Sequence, residues 1–217
     1  PPDVLLQLEH VQKSFGGVRA LDDGNLDVRA GEVHLLLGEN GAGKSTLVKI
    51  AAGMYQADGG EMRWQGRPAR WRSPAEAGSS GVAMVHQESL LAPHLTVAEN
   101  VFLGRELMRR GLLDRRRMER ESSALLEEHR FPLQAGWRVE RLNPAQKQLV
   151  EICRAIHAAS SLLIFDEATS SLSEEETAEV FCIVRALRER GMGVIYITHR
   201  LEELRAVSRM VAGLPKQ

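Results

Sequence analysis

Gly38-Glu39-Asn40-Gly41-Ala42-Gly43-Lys44-Ser45-Thr46 is the stretch whose reading decides the fold. It follows Val33-His34-Leu35-Leu36-Leu37, an apolar run that reads as a buried strand. It precedes Leu47-Val48-Lys49-Ile50-Ala51-Ala52, a helical run stopped by Gly53. A glycine-rich turn between strand and helix matches the phosphate-loop pattern G-x-x-x-x-G-K-S. Such a loop brings backbone N–H groups close to several phosphate oxygens, and Gly38, Gly41 and Gly43 supply the missing side chains and the freedom of φ. The helix N-terminus adds unpaired donors and a partial positive charge. Lys44 is positioned to bridge β- and γ-phosphates, and Ser45 to offer its hydroxyl to Mg²⁺. Glu39, Asn40, Ala42 and Thr46 complete the set expected around the phosphates. The stretch predicts a nucleoside triphosphate site.

The bulk composition is that of an ordinary globular protein: 217 residues, 43% hydrophobic and 26% charged. A net charge of −1 gives no global pull toward nucleic acid or an anionic membrane. No apolar run approaches the ~20 residues needed to span a bilayer. No signal peptide opens the chain, so any membrane part is expected from a partner. Cys153 and Cys182 both lie in apolar helical patterns and read as two buried thiols in a reducing compartment.

Toward the N-terminus the chain reads as strands. Val4-Leu5-Leu6-Gln7-Leu8 is apolar, Gly16-Gly17 signals a turn, and Leu26-Asp27-Val28 alternates. Past the first helix, Asp58-Gly59-Gly60 turns the chain into the half-exposed alternation Glu61-Met62-Arg63-Trp64-Gln65. Gly81 to Gln87 is a buried-type strand with a polar end. From Glu88 to about Leu142 the character is helical and charged, with a capping box at Thr96-Val97-Ala98-Glu99. Arg105 to Arg120 holds seven arginines against three acids, without interleaved aromatics, and reads as a solvated helical surface.

Asn143-Pro144-Ala145-Gln146 then reads as an N-cap with proline at the first helical position. Leu149, Ile152, Cys153 and Ile156 repeat on one helical face. Ser161 to Phe165 is a strand ending on Asp166-Glu167, a helix runs from about Glu174 to Arg190, and Val194 to Thr198 is a strand ending at His199. Strands separated by crossover helices predict a parallel sheet with ligands at the carboxyl ends of its strands. Gly38, Gln87, Asp166, Glu167 and His199 all fall at such ends. An apolar strand ending in Asp suits a carboxylate that organises Mg²⁺, and the adjacent Glu167 suits a general base for water.

With those residues in place, the chain resembles the ATP-binding subunits of ABC transporters over essentially its whole length. The resemblance implies ATP and Mg²⁺ as ligands. It implies that Phe15 stacks on adenine, that Gln87 contacts Mg²⁺ and reports to the membrane domain, and that Asp166 belongs to the Walker B strand with Ser45 on the metal. It implies that His199 contacts the γ-phosphate beside the catalytic Glu167 and Lys44. Asn143, Ala145 and Gln146 stand where the signature motif faces the ATP of an opposite subunit. Lys13 to Val18, His86-Gln87-Glu88, Val97 to Gly104 and Gln146 to Ile152 look like the monosaccharide importers of the ribose, galactose, xylose and arabinose kind.

The expected fold is therefore α/β: a RecA-like P-loop NTPase core with an antiparallel β subdomain (about 1–32 and 56–72) and an α-helical subdomain (about 88–143). All of it forms a single nucleotide-binding domain over 1–217, shortened at its C-terminal end. The family continues beyond Val211-Ala212-Gly213-Leu214, so a fragment or a shortened subunit is expected. Implied partners are a second nucleotide-binding domain, integral membrane permease subunits and, indirectly, a sugar-binding protein, with no nucleic acid. The implied location is peripheral, on the cytoplasmic face of the bacterial membrane. The family signature is Leu-Ser-Gly-Gly-Gln; here Asn143, Pro144 and Ala145 replace its serine and glycines, Pro144 removing an N–H and Ala145 adding bulk. Two other readings stay open at this point: a soluble ABC-type ATPase acting on ribosome or nucleic acid, and a nucleotide-binding half with little hydrolysis of its own.

Overall fold

The computed structural model describes residues 3–38, 41–85, 91–158, 161–169 and 172–199. Strands β1 (Val4–Phe15), β2 (Val18–Arg29) and β3 (Val33–Leu36) lead into helix α1 (Lys44–Ala51). Then come β4 (Gly59–Trp64), β5 (Arg67–Pro68), α2 (Pro74–Ser80), β6 (Val82–Val85) and α3 (Val97–Val101). A short hairpin, β7 (Met108–Arg109) with β8 (Leu112–Leu113), precedes α4 (Arg115–Glu128). The chain then forms α5 (Pro144–Ala158), β9 (Leu162–Asp166), α6 (Glu174–Glu189) and β10 (Gly193–Ile197).

The central sheet is parallel, in the order β3-β10-β9-β6. Its two middle strands are fully buried up to the Asp166 that ends β9, because both faces are covered. Leu163, Phe165, Val194 and Tyr196 face a cluster shared with α5 and α6, including Leu149, Ile152, Val180 and Val184. Leu162, Ile164, Ile195 and Ile197 face the opposite cluster, with Leu47, Val48 and Ile50 of α1. The period of two divides each strand between these clusters. Every one of these eight strand residues is 0% exposed, and full burial of such a side chain contributes roughly 1.5–3 kcal/mol.

The second layer is antiparallel, in the order β2-β1-β4-β5. β1 and β2 form one long hairpin turning at Gly16-Gly17, where φ is +53° and +85°. Leu6, Leu8, Val11, Leu26 and Val28 pack this layer on the α1 side of the central sheet. Gly53 ends α1 with φ +72°, and a Cβ there would lie 2.6 Å from the Ser73 carbonyl oxygen. Only glycine fits that turn.

The expected helical surface from Arg105 to Arg120 is helical only in its second half. Residues 108–113 instead form the β7–β8 hairpin, with Arg110 and Gly111 both at positive φ. Asp114 then caps α4 by accepting from the Arg117 N–H at 3.1 Å. The hairpin exposes Met108, Leu112 and Leu113 beside Arg109 and Arg110. The expected capping box at Thr96 is formed, and Ser173 and Glu176 form another at the start of α6.

The cysteines divide, against the expectation of two buried thiols. Cys153 is 0% exposed, and burial pushes its thiol up to about 12. Cys182 is exposed, because the buried face of α6 follows Thr177, Val180, Phe181, Val184 and Leu187. A buried, protonated thiol is a poor nucleophile. Maleimide at neutral pH is therefore expected to label the folded chain once, at Cys182, with Cys153 reacting only after denaturation. Mass spectrometry of the labelled peptides checks this.

Candidate functional site

The loop between β3 and α1 is shaped by three glycines at positive φ: Gly38 at +147°, Gly41 at +89° and Gly43 at +80°. They do different work. A Cβ on Gly43 would lie 2.9 Å from the Ala20 carbonyl oxygen and 2.9 Å from Leu21 Cδ1, so β2 presses directly on the loop. A Cβ on Gly41 would meet nothing within 4 Å, which leaves its backbone open to an approaching anion. Gly43 caps α1 without a side-chain bond, and the first turn of any α-helix carries N–H groups with no intrahelical partner. Lys44 Nζ donates to the Gly38 carbonyl across the loop. Ala42 is exposed and Ser45 and Thr46 are half-buried. Glu39 and Asn40 lie outside the described residues.

The carboxyl ends of β9 and β10 close on this loop. Ser45 Oγ donates to Asp166 Oδ1 at 3.2 Å, joining residues 121 positions apart. Glu167 is the residue after β9, and its φ of +52° is in the left-handed region, where a side chain is strained. Its N–H donates to the Ile197 carbonyl at 3.2 Å, which ties it to the end of β10. His199 Nδ1 lies 3.2 Å from Glu167 Oε1, with the histidine half-exposed and the glutamate side chain 20% exposed. A strand end, a bonded N–H and an imidazole thus aim one carboxylate beside the phosphate loop. Gln87 lies outside the described residues.

Among the described residues no group of three or more His, Cys, Asp or Glu converges as a metal cage. The Ser45 hydroxyl and Asp166 carboxylate offer hard oxygen donors instead. Mg²⁺ suits such a pair because it keeps waters and takes substrate phosphates alongside one or two protein oxygens. The donor set fits Mg²⁺.

Phe15 stands at the tip of the β1–β2 hairpin, 41% exposed. It meets Tyr55 in a T-shaped contact with centroids 5.0 Å apart, and Lys13 Nζ sits 5.4 Å from its centroid. Asp58 anchors the three residues before it. The Asp58 N–H donates to the Gln12 carbonyl at 2.9 Å, Lys13 Nζ donates to Oδ1 at 2.7 Å, and the Ser14 N–H donates to Oδ2 at 2.8 Å. The bonds from Lys13 and then Ser14 hold the Asp58 carboxyl below the usual carboxylate range. That contribution to stability is present above the ordinary carboxylate pKa and is lost as pH falls through the lowered one. Lys13, Tyr55 and Asp58 were not singled out from the sequence as site residues. Their only signal was an opposite-charge pair 45 residues apart.

At the start of α5, Asn143 Oδ1 accepts from the Gln146 N–H at 2.7 Å and Gln146 Oε1 accepts from the Asn143 N–H at 3.1 Å. The two residues cap each other, as a capping box does. Ala145 is 5% exposed, its methyl in the core cluster. Asn143 and Pro144 are exposed.

Comparison with known proteins shows the family and the fold. The family model described as ABC transporter matches residues 21–170. A putative ribose/galactose/methyl galactoside import ATP-binding protein of Burkholderia cenocepacia is 46% identical over 95% of this chain and 41% of its own length. A ribose import ATP-binding protein of Rubrobacter xylanophilus is 47% identical over 97% of this chain and 42% of its own. The chain thus spans about two fifths of the length of the curated relatives it matches. Among solved structures, a nucleotide-free ATP-binding cassette from an ABC transporter superposes with TM-score 0.80 at 25% identity, over 94% of this chain and 84% of that one. A cassette in its ADP conformation gives TM-score 0.79 at 26% identity, over 91% and 82%.

The unequal surroundings of the two loop glycines give a direct test. Gly43→Ala should destabilise the fold by about 2–4 kcal/mol, combining left-handed strain with collision against β2. Gly41→Ala carries the strain alone, about 1–2 kcal/mol. Denaturant midpoints of the two variants, compared with the parent, measure the difference.

Proposed function

Because this chain belongs to the ABC transporter family of ATP-binding proteins, we propose that it binds and hydrolyses ATP to energise sugar uptake through separate membrane permease subunits. The observation that carries the ATPase part is the Ser45–Asp166 contact, which brings the phosphate loop and the Walker B carboxylate together at 3.2 Å. The sugar part is supported by the names of the relatives, which are ribose and galactose import ATP-binding proteins. No helix among the described residues is long and apolar enough to cross a membrane, so the reading assigns the crossing to partners.

In this reading the first-turn N–H groups of α1 and Lys44 hold the triphosphate, and Ser45 and Asp166 would hold Mg²⁺, which would supply positive charge to the phosphate oxygens. Phe15 supports the adenine, and the family resemblance assigns to Gln87, outside the described residues, a role toward Mg²⁺ and the permease. Glu167 accepts a proton from a water whose oxygen attacks the γ-phosphorus. The bond from γ-phosphorus to the bridging oxygen breaks, and its electron pair leaves with ADP; inorganic phosphate is the other product. His199, 3.2 Å from Glu167, fixes the carboxylate and reaches toward the γ-phosphate. Association with a second nucleotide-binding domain brings a signature helix to the other side of the ATP.

A second reading is favoured by one observation. The start of α5 is closed by the mutual Asn143–Gln146 caps and by Pro144, which has no N–H to offer. In that reading the chain hydrolyses the ATP in its own loop when a partner supplies a competent signature, while the site it completes for the partner turns over slowly.

Lys44→Ala should weaken ATP binding roughly ten- to hundredfold, the loss of one charge-assisted contact of about 1.5–3 kcal/mol. Glu167→Gln should leave binding within about twofold and reduce turnover at least roughly a hundredfold. Hydrolysis is measured across protein concentrations, with binding titrated in parallel. Turnover rising more steeply than linearly, and lost in Glu167→Gln, supports paired composite sites. Normal turnover by Glu167→Gln would remove Glu167 as the base.

A further inference from the structure

We propose that Tyr55 and Asp58, together with Lys13, fix the Phe15 ring as the stacking surface for the nucleotide base, which makes them positioning residues for that base. The inference rests on the nucleotide reading above and extends it to residues that never touch the phosphates. An aromatic side chain that only stabilises a hairpin tip is ordinarily buried. Phe15 is 41% exposed, while the backbone and side chains leading to it are tied down. Asp58 holds the N-terminal approach at three successive residues, through the Gln12 carbonyl, the Lys13 ammonium and the Ser14 N–H. Tyr55 holds the ring itself at 5.0 Å with an interplanar angle of 69°. The Lys13 ammonium, its side chain 15% exposed, covers part of the ring at 5.4 Å. Lys13 takes one face of the ring and Tyr55 meets it nearly edge to face, and Phe15 still keeps 41% of its surface exposed. An anchored ring binds a flat base without first losing its own rotamer freedom, which is preorganisation.

The anchors come from the segment that follows α1. That helix begins at Lys44, in the phosphate loop, and ends at Ala51; the next seven residues reach Asp58. One continuous piece of chain therefore sets both the phosphate-binding end and the support for the base-binding end. Tyr55 is half-buried against the cluster that packs α1, so its ring moves with that helix. The Lys13–Asp58 pair is the only ion pair in the described residues that ties the hairpin to this segment.

Binding of Mg²⁺–ATP and of Mg²⁺–tripolyphosphate, which has no base, is measured calorimetrically on the full chain. The wild type is expected to prefer ATP. Tyr55→Leu and Asp58→Ala should each weaken ATP binding about three- to tenfold and leave tripolyphosphate binding within about twofold. Tyr55→Phe, which keeps the ring, should restore the ATP preference. In a Phe15→Leu background neither substitution should have a further effect. Asp58→Ala leaves the apolar core untouched and carries the test where Tyr55→Leu unfolds the hairpin. An unchanged ratio of ATP to tripolyphosphate affinity in the variants would overturn the inference, as would parallel weakening of both ligands. Equal wild-type affinity for the two ligands would overturn it while sparing the phosphate site. Failure of the wild type to bind either would overturn the nucleotide reading and this inference with it.

Discussion

Strand β9 is hydrogen-bonded on both edges, to β10 and to β6, and its apolar residues are fully buried on both faces. A strand held this way has almost no freedom to slip, because a shift of one residue would exchange the side chains between two packed clusters. Its last residue is Asp166, and the residue after it is Glu167. The backbone of both acids is therefore placed by the packing of Leu162 to Phe165, and their side chains are then oriented by Ser45 and His199. The same constraint lets the chain carry a left-handed φ at Glu167: the strain is small beside the burial that fixes the strand.

The two layers divide the work on the opposite side of the site. The antiparallel layer reaches the loop at Ala20 and Leu21, close enough that Gly43 has no room for a side chain. The loop is thus confined from behind by β2 and open in front at Gly41. A phosphate loop must present N–H groups without collapsing on itself, and this arrangement does so by lending the loop a wall from another element. The hairpin tip of the same layer carries Phe15, so the hairpin that walls the loop also bears the proposed base-stacking ring.

Most of this was legible in the sequence wherever one local rule governed it. The apolar runs at β9 and β10 are four to five residues long, too short for a helix and followed at once by polar residues, which favours two-sided buried strands. The capping box at Thr96 and the N-cap at Asn143 depend on residues three apart, and both formed, Gln146 adding a return bond to the Asn143 N–H. The β7–β8 hairpin escaped notice because two-residue strands have no periodicity to detect, and the arginines around them suit an exposed helix equally well. Cys182 was misread for a related reason: it is next to Phe181, and a helical face only one residue wide separates buried from exposed. The Lys13–Asp58 and Phe15–Tyr55 contacts are long-range side-chain geometry, which no local pattern encodes. Gln87, Glu39 and Asn40 belong to the sequence reading alone.

The hairpin that interrupts the basic segment has a colloidal consequence. Met108, Leu112 and Leu113 are exposed at 58%, 75% and 48% on a two-stranded ribbon with free edges, the kind of surface through which copies of a chain adhere. The molecule's net charge of −1 provides almost no general repulsion against this. Arg109 and Arg110 sit in the ribbon, with no ion pair among the described residues, so each tip meets another as cation against cation. That protection is local and short in reach, falling off over about 8 Å at physiological ionic strength. Salt, which leaves the buried sheet alone, strips the guard from this apolar ribbon.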